Sequence, residues 1–99
     1  MHVIKRKTLV DFYEQPGRGD AKGPLDTWYY EVEHARWESP ADVKAKYGTA
    51  SILKNNRVVF NIGGNKYRLV VKIKYKMKTV FVRFVGTHKE YDKINAEEI

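Results

Sequence analysis

The chain changes period midway. Up to Ala50 its apolar residues recur every three or four positions, as on the buried stripe of a helix; from Ser51 they alternate with polar residues, as on a strand with one buried face. A short apolar start, His2-Val3-Ile4, suits an edge strand, and Lys5 to Glu14 then carries Leu9, Phe12 and Tyr13 at helical spacing. Gln15 to Gly23 is rich in glycine and proline and reads as a loop. Pro24 suits the first turn of a second helix, where its missing N–H costs nothing. Leu25, Trp28, Val32 and Ala35 form one stripe down that helix to about Arg36. The third start is the clearest. In Ser39-Pro40-Ala41-Asp42, serine is the N-cap, proline the first helical residue, and Asp42 the residue that returns the cap bond. Val43 and Tyr47 share a face, and Gly48 is placed to end the helix in the left-handed conformation.

Three strands follow: Arg57 to Ile62, Tyr67 to Tyr75 and Thr79 to Val85. The glycines of Gly63-Gly64-Asn65 supply a tight hairpin turn, with either Gly63-Gly64 or Gly64-Asn65 at its tip. Lys76-Met77-Lys78 makes the second connection, so the strands form an antiparallel meander. Helices first and sheet second predict an α+β fold over residues 1–99, one domain, with N-terminal helices packed on one face of an antiparallel β-sheet.

Parity assigns faces. Tyr67, Leu69, Val71, Ile73 and Tyr75 form an apolar row suited to burial under the helices, joined by Phe60 and Ile62 across the hairpin. The opposite face collects Asn61, Arg68, Lys72 and Lys74, with Lys66 if the strand runs that far. Arg83 shares its face with Phe81 and Val85, which leaves its placement open. Lysines also keep an exposed sheet edge from pairing with other chains, and that reading suits Lys72 and Lys74 equally well. It suits Arg68 less, because a guanidinium beside Asn61 is arranged to meet an oxyanion.

Charge gives that face a meaning. Lys and Arg total 19 against 12 Asp and Glu, a net charge of +7, which favours a polyanionic partner on so short a chain. With no cysteine, disulfides, thiolate metal sites and cysteine nucleophiles fall away. The N-terminal stretch lacks an apolar signal core and no apolar run is long enough to span a bilayer, which points to a cytoplasmic setting away from the membrane. Arg18-Gly19-Asp20 spells the tripeptide that integrins read; in such a setting the match counts as coincidence. No Walker loop, Ser–His–Asp arrangement or dinucleotide fingerprint is present. His2 and His34 form no ligand spacing with His88, so neither metal nor cofactor is expected.

The segment after the last strand carries the chemistry. Gly86 ends the strand, and Thr87 is placed to cap a short turn holding His88, Tyr91 and Asp92. RNA is cut without metal when its own 2′-hydroxyl attacks the neighbouring phosphorus. That step needs a base, an acid, and fixed positive charge for the phosphate oxygens. His88 suits the proton transfers, since imidazole is the side chain that ordinarily titrates near neutrality. Arg68 suits the charge. Tyr91 suits stacking on a base or moving a proton, and Lys89 a phosphate contact or the tuning of His88.

These residues stand in matching stretches that run the length of the chain. Met1-His2-Val3-Ile4, Ser39 to Lys44, Arg57 to Leu69 with its asparagine-framed double glycine before Arg68, and Phe84 to Asp92 with Thr-His-x-x-Tyr-Asp resemble the HigB family of bacterial toxins. That family is related to the RelE messenger-RNA interferases. The resemblance implies a RelE-like fold and an endoribonuclease that cleaves translated mRNA, often on the ribosome. It also implies neutralisation by a HigA-type helix-turn-helix antitoxin, and repression of operator DNA by the pair. Carried onto this chain, it names Arg68, His88 and Tyr91 as catalytic, supported by Asn61, Lys66, Lys89 and Asp92. With Lys72, Lys74 and Arg83 these supporting residues make up the candidate RNA-binding set. The Gly17 to Gly23 loop looks like a variable insertion without a role. Two other readings use the same face: a non-catalytic RNA- or ribosome-binding module, and an interaction domain for an acidic partner.

Overall fold

Helical spacing and strand alternation both carry through to the computed structural model, which describes residues 1–99. Strand β1 (His2–Ile4) leads into α1 (Arg6–Tyr13), a 3-10 turn (Gly19–Ala21), α2 (Lys22–Glu33) and α3 (Pro40–Lys46). Then come β2 (Ser51–Ile52), β3 (Arg57–Ile62), β4 (Tyr67–Lys74), β5 (Thr79–Thr87) and a final turn of helix, α4 (His88–Tyr91). No helix is long and apolar enough to cross a membrane.

The sheet order is β1-β5-β4-β3-β2. Strands β3, β4 and β5 form the antiparallel meander, but β1 pairs with β5 in parallel, so the sheet is mixed rather than antiparallel throughout. Parallel neighbours need a long crossover, and the helices and three strands between β1 and β5 provide it. In the first hairpin, Ile62 faces Tyr67 and Asn61 faces Arg68. That is the register of a turn with Gly64-Asn65 at its tip. Gly63 and Gly64 both take positive φ there, at 64° and 73°.

The predicted row is buried where parity placed it. Phe60, Ile62, Tyr67, Leu69, Val71 and Ile73 meet Leu9 and Phe12 of α1, Leu25, Trp28 and Val32 of α2, and Val43 of α3. Phe60 is the centre of an aromatic group, with the ring centroids of Trp28 at 5.5 Å and Tyr47 at 5.1 Å. Burying side chains of this size contributes on the order of 1.5–3 kcal/mol each, so this face holds the sheet to the helices.

Three local details differ from the sequence reading. Helix α2 begins at Lys22, so Pro24 is its third residue, still within the turn whose N–H groups lack partners. Ser39 makes no side-chain cap; Asp42 Oδ2 instead accepts the N–H of Glu38, 2.8 Å away, one residue farther back. Gly48 does not adopt positive φ. Lys44 closes that end of α3 by donating from Nζ to the carbonyls of Gly48 and Ala50, each at 2.7 Å.

The second face of the sheet is only partly open. Ala96 packs on Val59 and Val70, with Ile94, Ile99, Phe84 and Tyr91 around them. The segment after α4 thus lies across the middle of the face and leaves Val70 fully buried.

Candidate active site

Strand β4 presents Arg68 between two neighbours, Asn61 on β3 and Gly86 on β5. Its guanidinium lies over the ring of Tyr91, 4.8 Å from the centroid, and that ring rests in turn near Phe84, 6.5 Å away. A cation over an aromatic face is fixed in plane and position without losing its hydrogen-bond donors. Arg68 Nε is shielded from solvent and has no partner in the chain. Asn61 is beside it, donating from Nδ2 to the Thr49 carbonyl at 3.3 Å.

His88 and Tyr91 occupy the two ends of α4, whose start is built from two residues. Thr87 Oγ1 accepts the N–H of Glu90 at 3.2 Å, while Glu90 Oε1 accepts the N–H of Thr87 at 2.9 Å. This reciprocal cap satisfies donors that a single turn could not pair internally. Gly86 makes room for it. A Cβ added there would stand 2.9 Å from Glu90 Oε1 and 2.6 Å from the Phe84 ring. His88 Nε2, like Arg68 Nε, is shielded and unpartnered. Only one other buried side-chain nitrogen or oxygen in the chain, Trp28 Nε1, lacks a partner. Two of three such atoms therefore fall in this corner, where the chain itself leaves donors or acceptors unused.

The Gly17 to Gly23 loop, read from the sequence as an insertion without a role, is anchored at two of its charged residues, Arg18 and Asp20. Arg18 stacks on Phe12, 4.6 Å from its centroid, and donates from Nη2 to Glu90 Oε2 at 2.9 Å. Asp20 accepts from the Tyr67 hydroxyl at 2.6 Å and pairs with Lys66. Lys66 hydrogen bonding, then Tyr67, hold the Asp20 carboxyl below its ordinary range. The Arg18 hydrogen bond, followed by the Thr87 N–H, pulls Glu90 from its ordinary 4.5 down to about 2. Glu90 therefore stays ionised across the working range of the protein.

The remaining candidates lie elsewhere. Lys66 is committed to Asp20, while Lys89 and Asp92 are exposed on and just after α4. A bulge in β5 settles Arg83: Val71 faces Val82 and Val70 faces Phe84, so Arg83 is the extra residue and points to solvent. Its guanidinium is 5.7 Å from the Phe81 centroid, and Lys74 Nζ is 5.9 Å from the same ring. Partial burial, then the charges of Arg57, Lys74 and Arg83, push the Lys72 ammonium below its ordinary value. None of the seven ion pairs engages Arg68, Lys72, Lys74, Arg83 or Lys89.

Parity implied one continuous basic face; the structure divides it. Arg68, Tyr91, His88 and Asn61 gather at one end, and Lys72, Lys74 and Arg83 at the other, with Ala96 and its neighbours between. Sequence reasoning missed Arg18, Glu90 and Arg57. Glu90 carried a signal, since Thr-x-x-Glu is the capping-box spacing. Arg57 is buried at the start of β3 and donates from Nε to the Ile99 carbonyl at 2.9 Å. Nothing local marks Arg18.

Residues 21–94 match a family model described as HigB_toxin, the RelE-like toxic component of a toxin–antitoxin system. Among similar proteins are the mRNA interferase toxin HigB of Escherichia coli K12, 31% identical over 97% of this chain and 92% of the relative. An mRNA interferase HigB of Shigella flexneri has the same identity and coverage. One of Escherichia coli O6:H1 is 26% identical over 95% of this chain and 91% of its own length.

Proposed function

The chain belongs to the HigB family, the RelE-like toxic components of toxin–antitoxin systems, and from that premise we propose that its Arg68–His88–Tyr91 corner is the reacting centre of an mRNA interferase. Its substrate class is mRNA and its reaction is endonucleolytic cleavage. The observation that carries the assignment is the pair of shielded, unpartnered nitrogens, Arg68 Nε and His88 Nε2, the first belonging to a guanidinium with no carboxylate paired to it. Such groups are costly unless a ligand completes them.

The 2′-hydroxyl of one nucleotide attacks the adjacent phosphorus as its proton passes to a base. The bond to the 5′ oxygen breaks as that oxygen takes a proton from an acid. The products are a 2′,3′-cyclic phosphate and a 5′-hydroxyl end. His88 moves one of these protons and a water molecule the other. Arg68 meets the charge on the phosphate oxygens, where fixed donors act most strongly. Tyr91 holds the guanidinium in plane, and Asn61 and Lys89 contact the flanking nucleotides. Lys72, Lys74 and Arg83 receive RNA backbone at the far end of the face.

The setting follows from the substrate. The protein cleaves translated mRNA in the cytoplasm, engaged on the ribosome. A HigA-type helix-turn-helix antitoxin restrains it through an acidic segment laid on the basic face, and the pair represses operator DNA.

Expression of the chain alone, with mapping of 5′ RNA ends, tests the reading. Growth arrest with new 5′-hydroxyl ends in coding regions is expected. Arg68→Ala and His88→Ala abolish those ends while keeping the fold. Wild-type cleavage by both variants would sink the site; ribosome binding without any new ends would leave a binding module. Purified protein given the same mRNA with and without ribosomes decides translation dependence.

A further inference from the structure

We propose that Arg18, in the loop between α1 and α2, is a positioning residue for the reacting centre: it fixes α4 through Glu90 and thereby sets where His88 and Tyr91 stand. The inference rests on the assignment of that centre in the preceding section and adds a part of the chain that the assignment does not use.

A helix of one turn cannot hold its own direction. Helix nucleation is unfavourable, and such short pieces rely on tertiary contacts. Helix α4 has no buried residue among its four. It is held by the reciprocal cap with Thr87, by the Tyr91 ring packed beneath Arg68 and against Phe84 and the Val59–Val70–Ala96 cluster, and by the Arg18 guanidinium on Glu90. The Arg18 contact is the one that reaches the Glu90 carboxylate from the loop between α1 and α2, 72 residues away.

Glu90 divides its two oxygens between these tasks. Oε1 accepts from Thr87 within the cap, and Oε2 accepts from Arg18. The carboxylate is thereby locked in one rotamer, and with it the start of α4, where His88 follows Thr87 directly. Arg18 is itself restrained, because its guanidinium lies on Phe12, a buried residue of α1. The other end of the loop is pinned by Asp20 to Tyr67, the residue before Arg68. One short loop therefore ties α1, the base of β4 and α4 into a single frame.

Without Arg18, the cap retains its two hydrogen bonds, but Oε2 loses its partner and the carboxylate is free to turn. The chain stays folded and substrate still docks on Arg68 and the distal cations. What suffers is the alignment of His88 with the reacting oxygen, which is a loss in turnover rather than in binding.

The experiment compares Arg18→Ala, Arg18→Lys and Glu90→Gln with the wild type, using a defined mRNA in a reconstituted translation mixture. Lys7→Ala, which removes the exposed Lys7–Asp11 pair on α1, is the control. Arg18→Ala is expected to lower kcat roughly 10- to 100-fold, the scale of about an ångström of misplacement. KM stays within about twofold of the wild type. Arg18→Lys recovers part of the loss because it keeps a cation for Oε2. The Arg18→Ala and Glu90→Gln losses do not add in the double variant, as expected of one shared interaction. In NMR titrations of the imidazole carbons, the His88 profile shifts in Arg18→Ala, while that of exposed His34 does not. Wild-type kcat and an unmoved His88 profile in Arg18→Ala would overturn the proposal, leaving Arg18 as a surface anchor. If instead His88→Ala itself cuts at the wild-type rate, the assignment of the centre has failed, and the proposal falls with it.

Discussion

Arg68 and Tyr91 form one unit: the guanidinium carbon stands 4.8 Å from the ring centroid, with no carboxylate paired to the cation. The ring supplies orientation and leaves the donors facing outward. Arg68→Ala should therefore reduce kcat by about 10²–10³, the cost of removing a donor to a developing oxyanion. Arg68→Lys keeps the charge, loses the planar fork, and recovers only part of that. Tyr91→Phe keeps the platform and should cut faster than Tyr91→Ala by on the order of tenfold, since such contacts contribute ~0.5–2 kcal/mol. If Tyr91→Phe is as slow as Tyr91→Ala, the hydroxyl carries a proton and the platform is secondary.

Gly86 is required by its neighbours rather than by its own backbone. A methyl group there meets Phe84 at 2.6 Å and Glu90 Oε1 at 2.9 Å, so ring and carboxylate must both move. Gly86→Ala should cost about 1–3 kcal/mol, the range for overpacking. For a chain of this size each kcal/mol lowers Tm by roughly 4–8 °C. Thermal melts check the stability, and the turnover of the same preparation, assayed well below Tm, should fall as well because the cap on α4 is displaced. A melt identical to the wild type would show that the corner is loose enough to absorb a methyl group.

Much of this architecture is legible in the sequence because it is local. Alternation along Tyr67 to Ile73 identifies the buried row, and the glycines before Tyr67 bring Asn61 opposite Arg68. Thr87 and Glu90 announce their cap by spacing alone. Arg83 could not be placed, because a bulge interrupts the alternation on which parity depends. The parallel pairing of β1 was also hidden, since three residues say nothing about direction. The covering of Val70 by Ala96 escaped for a different reason: alternation assigns a side chain to a face but not what lies over that face. Arg18 shows the limit most plainly. Its partner is 72 residues away, and a glycine-rich loop advertises turns, not contacts.

The cations at the far end of the face are set apart from the reacting corner, and their roles should separate accordingly. Lys74 and Arg83 flank Phe81 without a carboxylate near enough to neutralise them. Lys74→Ala and Arg83→Ala should raise KM with little change in kcat. Each should also flatten the dependence of RNA affinity on salt, by about 0.7 in the log–log slope per lost phosphate contact. Fluorescence anisotropy with labelled single-stranded RNA, at several salt concentrations, measures this. An unchanged slope in both variants would assign these residues to the solvated sheet edge instead.

Glu90 makes the corner sensitive to acid in a defined direction. Its carboxyl is held at about 2 in the folded chain, mainly by Arg18, against an ordinary 4.5. A group whose folded value is depressed contributes stability that is fully present above the ordinary value and is lost as pH falls through the folded one. The Arg18–Glu90 contribution should therefore be constant from neutrality down to about pH 5, then decline towards pH 2 as the carboxylate takes up its proton. The carboxylate is partly exposed, so solvent screens the pair and the effect is modest. Glu90→Gln has no proton to take up: its stability curve should lie below the wild type at pH 7 and converge on it in acid. Denaturant melts of both proteins between pH 7 and pH 2 test this. A gap that persists unchanged at pH 2 would mean that the glutamate acts by its shape, through the cap on α4, and not by its charge towards Arg18.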